Sequence, residues 1–218
     1  VAKAYLFDLD GTLIDTEKYY RICWPKALAD FGHQMSDEQA LSMRSLGRPY
    51  AAAHLQEMFG CGDKYEQIKA VRKRYMEQLI EEQGIDALPG AAQLLRFLKE
   101  SGRNAALVTA TDPQRSQRYL KTAGLYEYIG EIISAAYVER GKPSPDVYLY
   151  ACERLGIEPC EAVAFEDSPN GVLSAKRAGC RVVMVPNQSE PDEELKKSVD
   201  IVAAGLDEAI SLIEKGII

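Results

Sequence analysis

No apolar run in this chain reaches the roughly 18 residues that a membrane-crossing helix requires, and no basic-then-apolar leader precedes its first apolar segment. A cytoplasmic protein without a membrane partner is expected. Histidine is nearly missing: His33 and His54 are the only two in 218 residues, and neither clusters with cysteine at ligand spacing, which argues against a zinc site. The five cysteines, Cys23, Cys61, Cys152, Cys160 and Cys180, form no Cys-x-x-Cys pair. An odd, scattered set fits packed thiols in a reducing compartment rather than a disulfide framework. Positive charge is also short, with 26 Lys and Arg against 33 Asp and Glu and a net charge of −7. A nucleic-acid partner would be met by a basic face, and none is expected. The densest basic run, Arg72-Lys73-Arg74, lies beside Glu66, Glu77, Glu81 and Glu82 and reads as a solvated helix face. The composition, 46% hydrophobic, suits one sizeable core plus a smaller insert. A monomer is expected.

What is present is organised around residues 4 to 16, Ala-Tyr-Leu-Phe-Asp-Leu-Asp-Gly-Thr-Leu-Ile-Asp-Thr. An apolar run that stops at two carboxylates reads as a buried strand with Asp8 and Asp10 at its carboxyl end. Leu9 points away in an extended backbone, so the two acids share one side. Two such close carboxylates repel unless a cation or a shared proton intervenes, and a hard oxygen site suits Mg²⁺.

Residues 16 to 86 read as helical throughout. Helices are expected from Thr16 to Phe31, from a capping box at Ser36-Asp37-Glu38-Gln39 to about Ser45, from Pro49 to Phe59 and from Tyr65 to Gln83. From Pro89 the pattern alternates. Short apolar strands at 104–109, 129–134, 162–165, 181–185 and 201–203 are separated by helices, three of them opened by Asp112-Pro113, Ser144-Pro145 and Ser168-Pro169. Asn187 to Lys197 reads as a surface connection with one helical turn. Repeated β-α units imply an α/β fold with a mainly parallel, Rossmann-like sheet covered by helices on both faces. Ligands on such sheets bind beyond the carboxyl ends of the strands. Asp8, Asp10, Thr109, Glu166 and Asp167 fall there, with Lys142 in a loop before Pro145. Taken singly, Thr109 could end a strand, Lys142 could be an exposed loop lysine, and Glu166-Asp167 could complement a helix N-terminus. Gly-Lys-Pro-Ser is not a P-loop, because proline separates Lys142 from Ser144 and Ala136 holds the earlier glycine position.

Taken together, the segments have a specific likeness. Phe7-Asp8-Leu9-Asp10-Gly11-Thr12, Val108-Thr109-Ala110, Gly141-Lys142-Pro143-Ser144-Pro145-Asp146 and Phe165-Glu166-Asp167-Ser168-Pro169-Asn170-Gly171 resemble, in order, the four motifs of the haloacid dehalogenase-like superfamily. The helical insert is similar to the cap of its subgroup containing β-phosphoglucomutase and sugar-phosphate phosphatases. That resemblance implies a core of residues 1–15 and 87–218 and a cap of residues 16–86. It also implies Asp8 as nucleophile, Asp10 as general acid and base, and Thr109, the Ala110 amide and Lys142 on the phosphoryl oxygens. Mg²⁺ would be held by Asp8, the Asp10 carbonyl and Asp167, with Glu166 near. Leu46-Gly47-Arg48 resembles the specificity loop of the cap, where Arg48 either grips substrate or is an exposed charge.

The implied activity is a Mg²⁺-dependent phosphatase acting on a small phosphorylated metabolite, a sugar or polyol phosphate. A sugar phosphomutase is the alternative, but Tyr20 stands where the mutase pattern has histidine. A dehalogenase needs no acid at Asp10, and a non-catalytic binding module would have lost a motif residue; neither departure is seen.

Overall fold

The computed structural model of the chain describes residues 2–218. β1 (Ala4–Phe7) leads into four helices, α1 (Glu17–Ala29), α2 (Asp37–Ser42), α3 (Tyr50–Phe59) and α4 (Tyr65–Gln83). Strands and helices then alternate: α5 (Ala91–Glu100), β2 (Asn104–Thr109), α6 (Pro113–Thr122), β3 (Glu131–Ser134), α7 (Asp146–Leu155), β4 (Ala162–Glu166), α8 (Pro169–Ala178), β5 (Arg181–Met184), α9 (Glu193–Lys196), β6 (Ile201–Val202) and α10 (Leu206–Glu214). All strand pairs are parallel and their order is β3-β2-β1-β4-β5-β6. This is a Rossmann-like α/β arrangement, as expected, with β1 in the middle and the chain running outward from it in both directions.

Period-two alternation divides the core in two. On β1, Tyr5 and Phe7 join one apolar cluster with Leu94, Leu95 and Leu98 of α5 and Ala209 and Ile213 of α10. Ala4 and Leu6 join the other, with Val147 and Ala151 of α7 and Val172 and Ala175 of α8. A strand buried on both faces must be apolar at every position, and the sheet is pinned across β1 and β4 by the stacked rings of Phe7 and Phe165, 4.7 Å between centroids.

Helices α1 to α4 have an apolar cluster of their own, built on Trp24, Leu28, Met43, Leu55 and Ile68. They join the sheet through two chain segments that run side by side, with Asp15 N–H donating to Asp86 O at 3.0 Å and Leu88 N–H to Leu13 O at 2.9 Å.

Most local signals are realised. Ser36 makes both bonds of a capping box, and Asp112 and Ser168 accept from Arg115 N–H and Gly171 N–H as N-caps. Ser144 is a correction. Pro145 already has helical φ and ψ and is the N-cap residue of α7, while the Ser144 hydroxyl donates to the Asp146 carboxylate at 2.6 Å.

Leu94 is fully buried in the cluster under the sheet and does not line the cavity. Leu94→Ala is expected to cost about 2–5 kcal/mol, read as a lower urea midpoint with an unchanged slope, and to leave the site chemistry of the folded fraction intact.

Candidate active site

The carboxyl ends of β1 and β4 and the loop before α7 meet around one buried ammonium. Lys142 has no exposed surface, and its Nζ donates to Asp8 Oδ1 at 2.7 Å, Glu166 Oε1 at 2.6 Å and the Val108 carbonyl at 3.0 Å. A buried lysine is tolerable only when fully paired. Burial opposes its charge, but Asp8 and Glu166 outweigh that and hold it above the usual lysine range. The Tyr148 hydroxyl also donates to Glu166 Oε1.

One ammonium does not balance the acids around it. Asp8, Glu166 and Asp167 offer carboxylate oxygens within 4.8 Å of one another. Asp8 Oδ2, Glu166 Oε2 and both Asp167 oxygens are buried without a hydrogen-bond partner among the described residues. Burial pushes the Asp8 carboxyl well up, with further help from Glu166, Asp167 and Asp10 and opposition from Lys142. Asp167 is pushed up to about 7, by burial first, with Glu166 adding to it and Arg44 opposing. Hard, unpartnered oxygens of this kind are the donor set of Mg²⁺, so the residues present fit that ion.

Asp8 and Asp10 both line the cavity, but they are held differently. The two Asp10 oxygens accept from Thr16 Oγ1 at 2.6 Å and Thr111 Oγ1 at 2.7 Å. Gly11 follows at φ +83°, and a Cβ there would lie 2.5 Å from Asp167 Oδ2. Only glycine lets the loop pass this close to the triad.

Thr109 is fully buried, and its hydroxyl accepts from Thr111 N–H at 3.0 Å. It closes the turn after β2, while Ala110 and Thr111 face the cavity.

A cavity of about 300 Å³ lies between the strand ends and the helical insert, with Asp8, Asp10 and Glu17 on its acidic side. Arg48 and Gly47 line it, as the resemblance implies, and Arg48 is exposed. The Gly47 loop is bonded to the Lys142 loop in both directions, Gly47 N–H to Lys142 O at 2.8 Å and Gly141 N–H to Arg48 O at 2.7 Å. A Cβ on Gly47 would lie 2.6 Å from Gly141 Cα, so the two backbones touch.

Arg72 corrects the reading of Arg72-Lys73-Arg74 as a solvated face. Arg74 is exposed, but Arg72 is buried, with its guanidinium 4.7 Å from the ring centroids of both Tyr20 and Trp24. Tyr20 in turn approaches Thr111, 3.4 Å between hydroxyl oxygens. Three further buried charged residues reach the cavity without a motif to announce them, Glu17, Arg44 and Arg115, and the less buried Lys69, Lys73 and Asp112 join them on its lining. Arg44 Nη1 is 3.6 Å from Asp167 Oδ2, and its Nη2 donates to Ser189 Oγ at 2.6 Å. The connection after β5 therefore braces the site from behind, and Asn187 Nδ2 donates to the Gly11 carbonyl at 3.0 Å.

The raised Asp167 carboxyl sets a pH dependence. A proton bound more tightly in the folded than in the unfolded chain stabilises the fold at low pH, and that contribution is lost as pH rises through about 7. Mg²⁺ competes with that proton. Thermal melts at pH 5 and pH 8, with and without Mg²⁺, are expected to show the larger ion-induced rise at pH 8, and an Asp167→Asn chain should show little rise at either pH.

The model of the haloacid dehalogenase-like hydrolase family matches residues 2–179. Protein CbbY of Rhodobacter capsulatus is 36% identical over 200 residues, 85% of this chain and 86% of that one. Hexitol phosphatase A of Escherichia coli is 34% identical over 206 residues, covering 94% and 92%. Among solved structures, β-phosphoglucomutase from Clostridium difficile superposes with a TM-score of 0.84 at 21% identity, covering 99% of this chain and 96% of that one. With four motif segments converging on one crevice and relatives aligned along almost their whole length, the chain belongs to the haloacid dehalogenase-like hydrolases.

Proposed function

We propose that the chain is a Mg²⁺-dependent phosphatase of small phosphorylated metabolites, sugar or polyol phosphates, working through an aspartyl-phosphate. The observation that carries this reading is the state of Asp8. Lys142 fixes one of its oxygens, and the other has no partner at the floor of the cavity. A carboxylate held by one oxygen presents the second as a nucleophile.

Asp8 Oδ2 attacks phosphorus and the ester P–O bond breaks, leaving the phosphoryl group on Asp8. Asp10 gives its proton to the departing alcohol oxygen. It then takes a proton from the water that attacks the aspartyl-phosphate, which releases phosphate and restores Asp8. Thr16 and Thr111 hold Asp10 between these steps. Lys142 and the Ala110 amide are the donors for the phosphoryl oxygens, with Thr109 shaping the turn that presents Ala110. Asp8, Asp167 and the Asp10 carbonyl, with Glu166 beside them, would hold Mg²⁺, which neutralises charge between the nucleophile and the anionic substrate. Residues 16–86 form the cap and residues 2–15 and 87–218 the core in this reading, with Val1 outside the described residues. Support for a carbohydrate substrate comes from relatives named hexitol phosphatase and phosphorylated carbohydrates phosphatase, the latter 32% identical. Tyr20, turned to Arg72 and Thr111, gives no support to a phosphomutase.

Phosphate release from a panel of phosphorylated sugars, polyols and nucleotides is expected with Mg²⁺ and not with chelator. Asp8→Asn should lower it by about a thousandfold or more while melting cooperatively, and retained turnover would remove Asp8 from the nucleophile's role. Conversion of hexose 1-phosphate to hexose 6-phosphate with little phosphate lost would show the mutase instead.

A further inference from the structure

Lys142 has no N–H to spare. An ammonium has three donors, and Lys142 Nζ gives one each to Asp8 Oδ1, Glu166 Oε1 and the Val108 carbonyl, at 2.7, 2.6 and 3.0 Å. In the phosphatase reading it also donates to a phosphoryl oxygen, so one of these bonds must open as the substrate reacts. Each of the three acceptors belongs to a buried residue. An acceptor stranded there loses its partner without gaining water, which costs the desolvation of the whole group.

The two carboxylate acceptors are not equally provided for. Among the described residues Asp8 Oδ1 accepts from Lys142 alone, whereas Glu166 Oε1 accepts from the Tyr148 hydroxyl as well. Tyr148 lies in the first turn of α7 and is itself fully buried. Its ring centroid is 5.3 Å from Lys142 Nζ, so the ring faces the ammonium while the hydroxyl holds the ammonium's counter-ion. On its other side the Glu166 carboxyl is seated on the first turn of α8, where a Cβ on Gly171 would fall 1.8 Å from Oε2 and 2.6 Å from Oε1. It cannot swing toward α8 for another donor.

We propose that Tyr148 is a positioning residue whose hydroxyl keeps Glu166 Oε1 paired while Lys142 redirects that N–H to a phosphoryl oxygen. Tyr148 acts through Glu166 and Lys142 and touches no reacting atom. No proton changes owner in the exchange: one hydrogen bond of the ammonium moves, and the tyrosine keeps its own. A hydrogen bond gained as charge builds on the phosphoryl oxygens raises the rate of transfer and leaves substrate binding nearly unchanged. The inference rests on the phosphatase reading and adds to it a residue for the transfer step.

The test is Tyr148→Phe, which removes the hydroxyl and keeps the ring, in single-turnover reactions at saturating Mg²⁺ with enzyme in excess over the best substrate of the panel. The maximal rate of alcohol release is expected to fall by about tenfold to a hundredfold, while the enzyme concentration giving half that rate changes by less than about twofold. Melting curves show that the variant folds. A packing role would instead act as Leu94→Ala does, lowering the melting temperature and leaving the rate of the folded protein intact. An unchanged rate would overturn the inference, because Lys142 would then free a different N–H. A loss that further Mg²⁺ restores would also overturn it and place the hydroxyl's effect on the ion. No Mg²⁺-dependent phosphate release by the wild type from any compound would overturn the phosphatase reading, and this inference with it.

Discussion

The buried ammonium of Lys142 is the group on which the rest of the site depends. It ties the end of β1, the end of β4 and the loop before α7 to one point through Asp8, Glu166 and the Val108 carbonyl. Breaking such a pair strands an uncompensated buried charge, which is far more costly than the pair itself is stabilising. Yet the arrangement is incomplete by design. Lys142 and, at 3.6 Å, Arg44 face three acids, and four carboxylate oxygens are left without a hydrogen-bond partner among the described residues, a deficit that a metal ion would make good.

The parallel sheet is what makes that convergence possible. Strands entering from one side end on the other, and β1, with neighbours on both sides, places its terminal acids where the chain's two directions of growth part. The helical insert leaves the core just past these acids and returns beside its own exit. Its first helix therefore starts inside the site, which is why Thr16 can hold Asp10 and Glu17 can face the cavity.

The fold and the acidic centre were legible because they rest on local rules. Alternating β-α units fix strand direction, and direction fixes where Asp8, Glu166 and Asp167 must lie; Asp112 and Ser168 announce their helices by chemistry that acts over one turn. The wall of the cavity was not legible. Helical spacing shows which residues share a face but not which face meets another part of the chain. Arg72, flanked by charges, looks solvated until Tyr20 and Trp24 arrive from α1. Arg44 and Ser189 are joined only by tertiary folding, and polar residues such as Asn187 carry no sign that they will seat against Gly11.

The seam between Gly47 and Gly141 leaves no room for a side chain, since a Cβ on either glycine would lie within 2.8 Å of the other's Cα. Two backbone hydrogen bonds cross it in opposite directions. A single methyl group added on the insert's side would therefore press directly on the loop that carries Lys142.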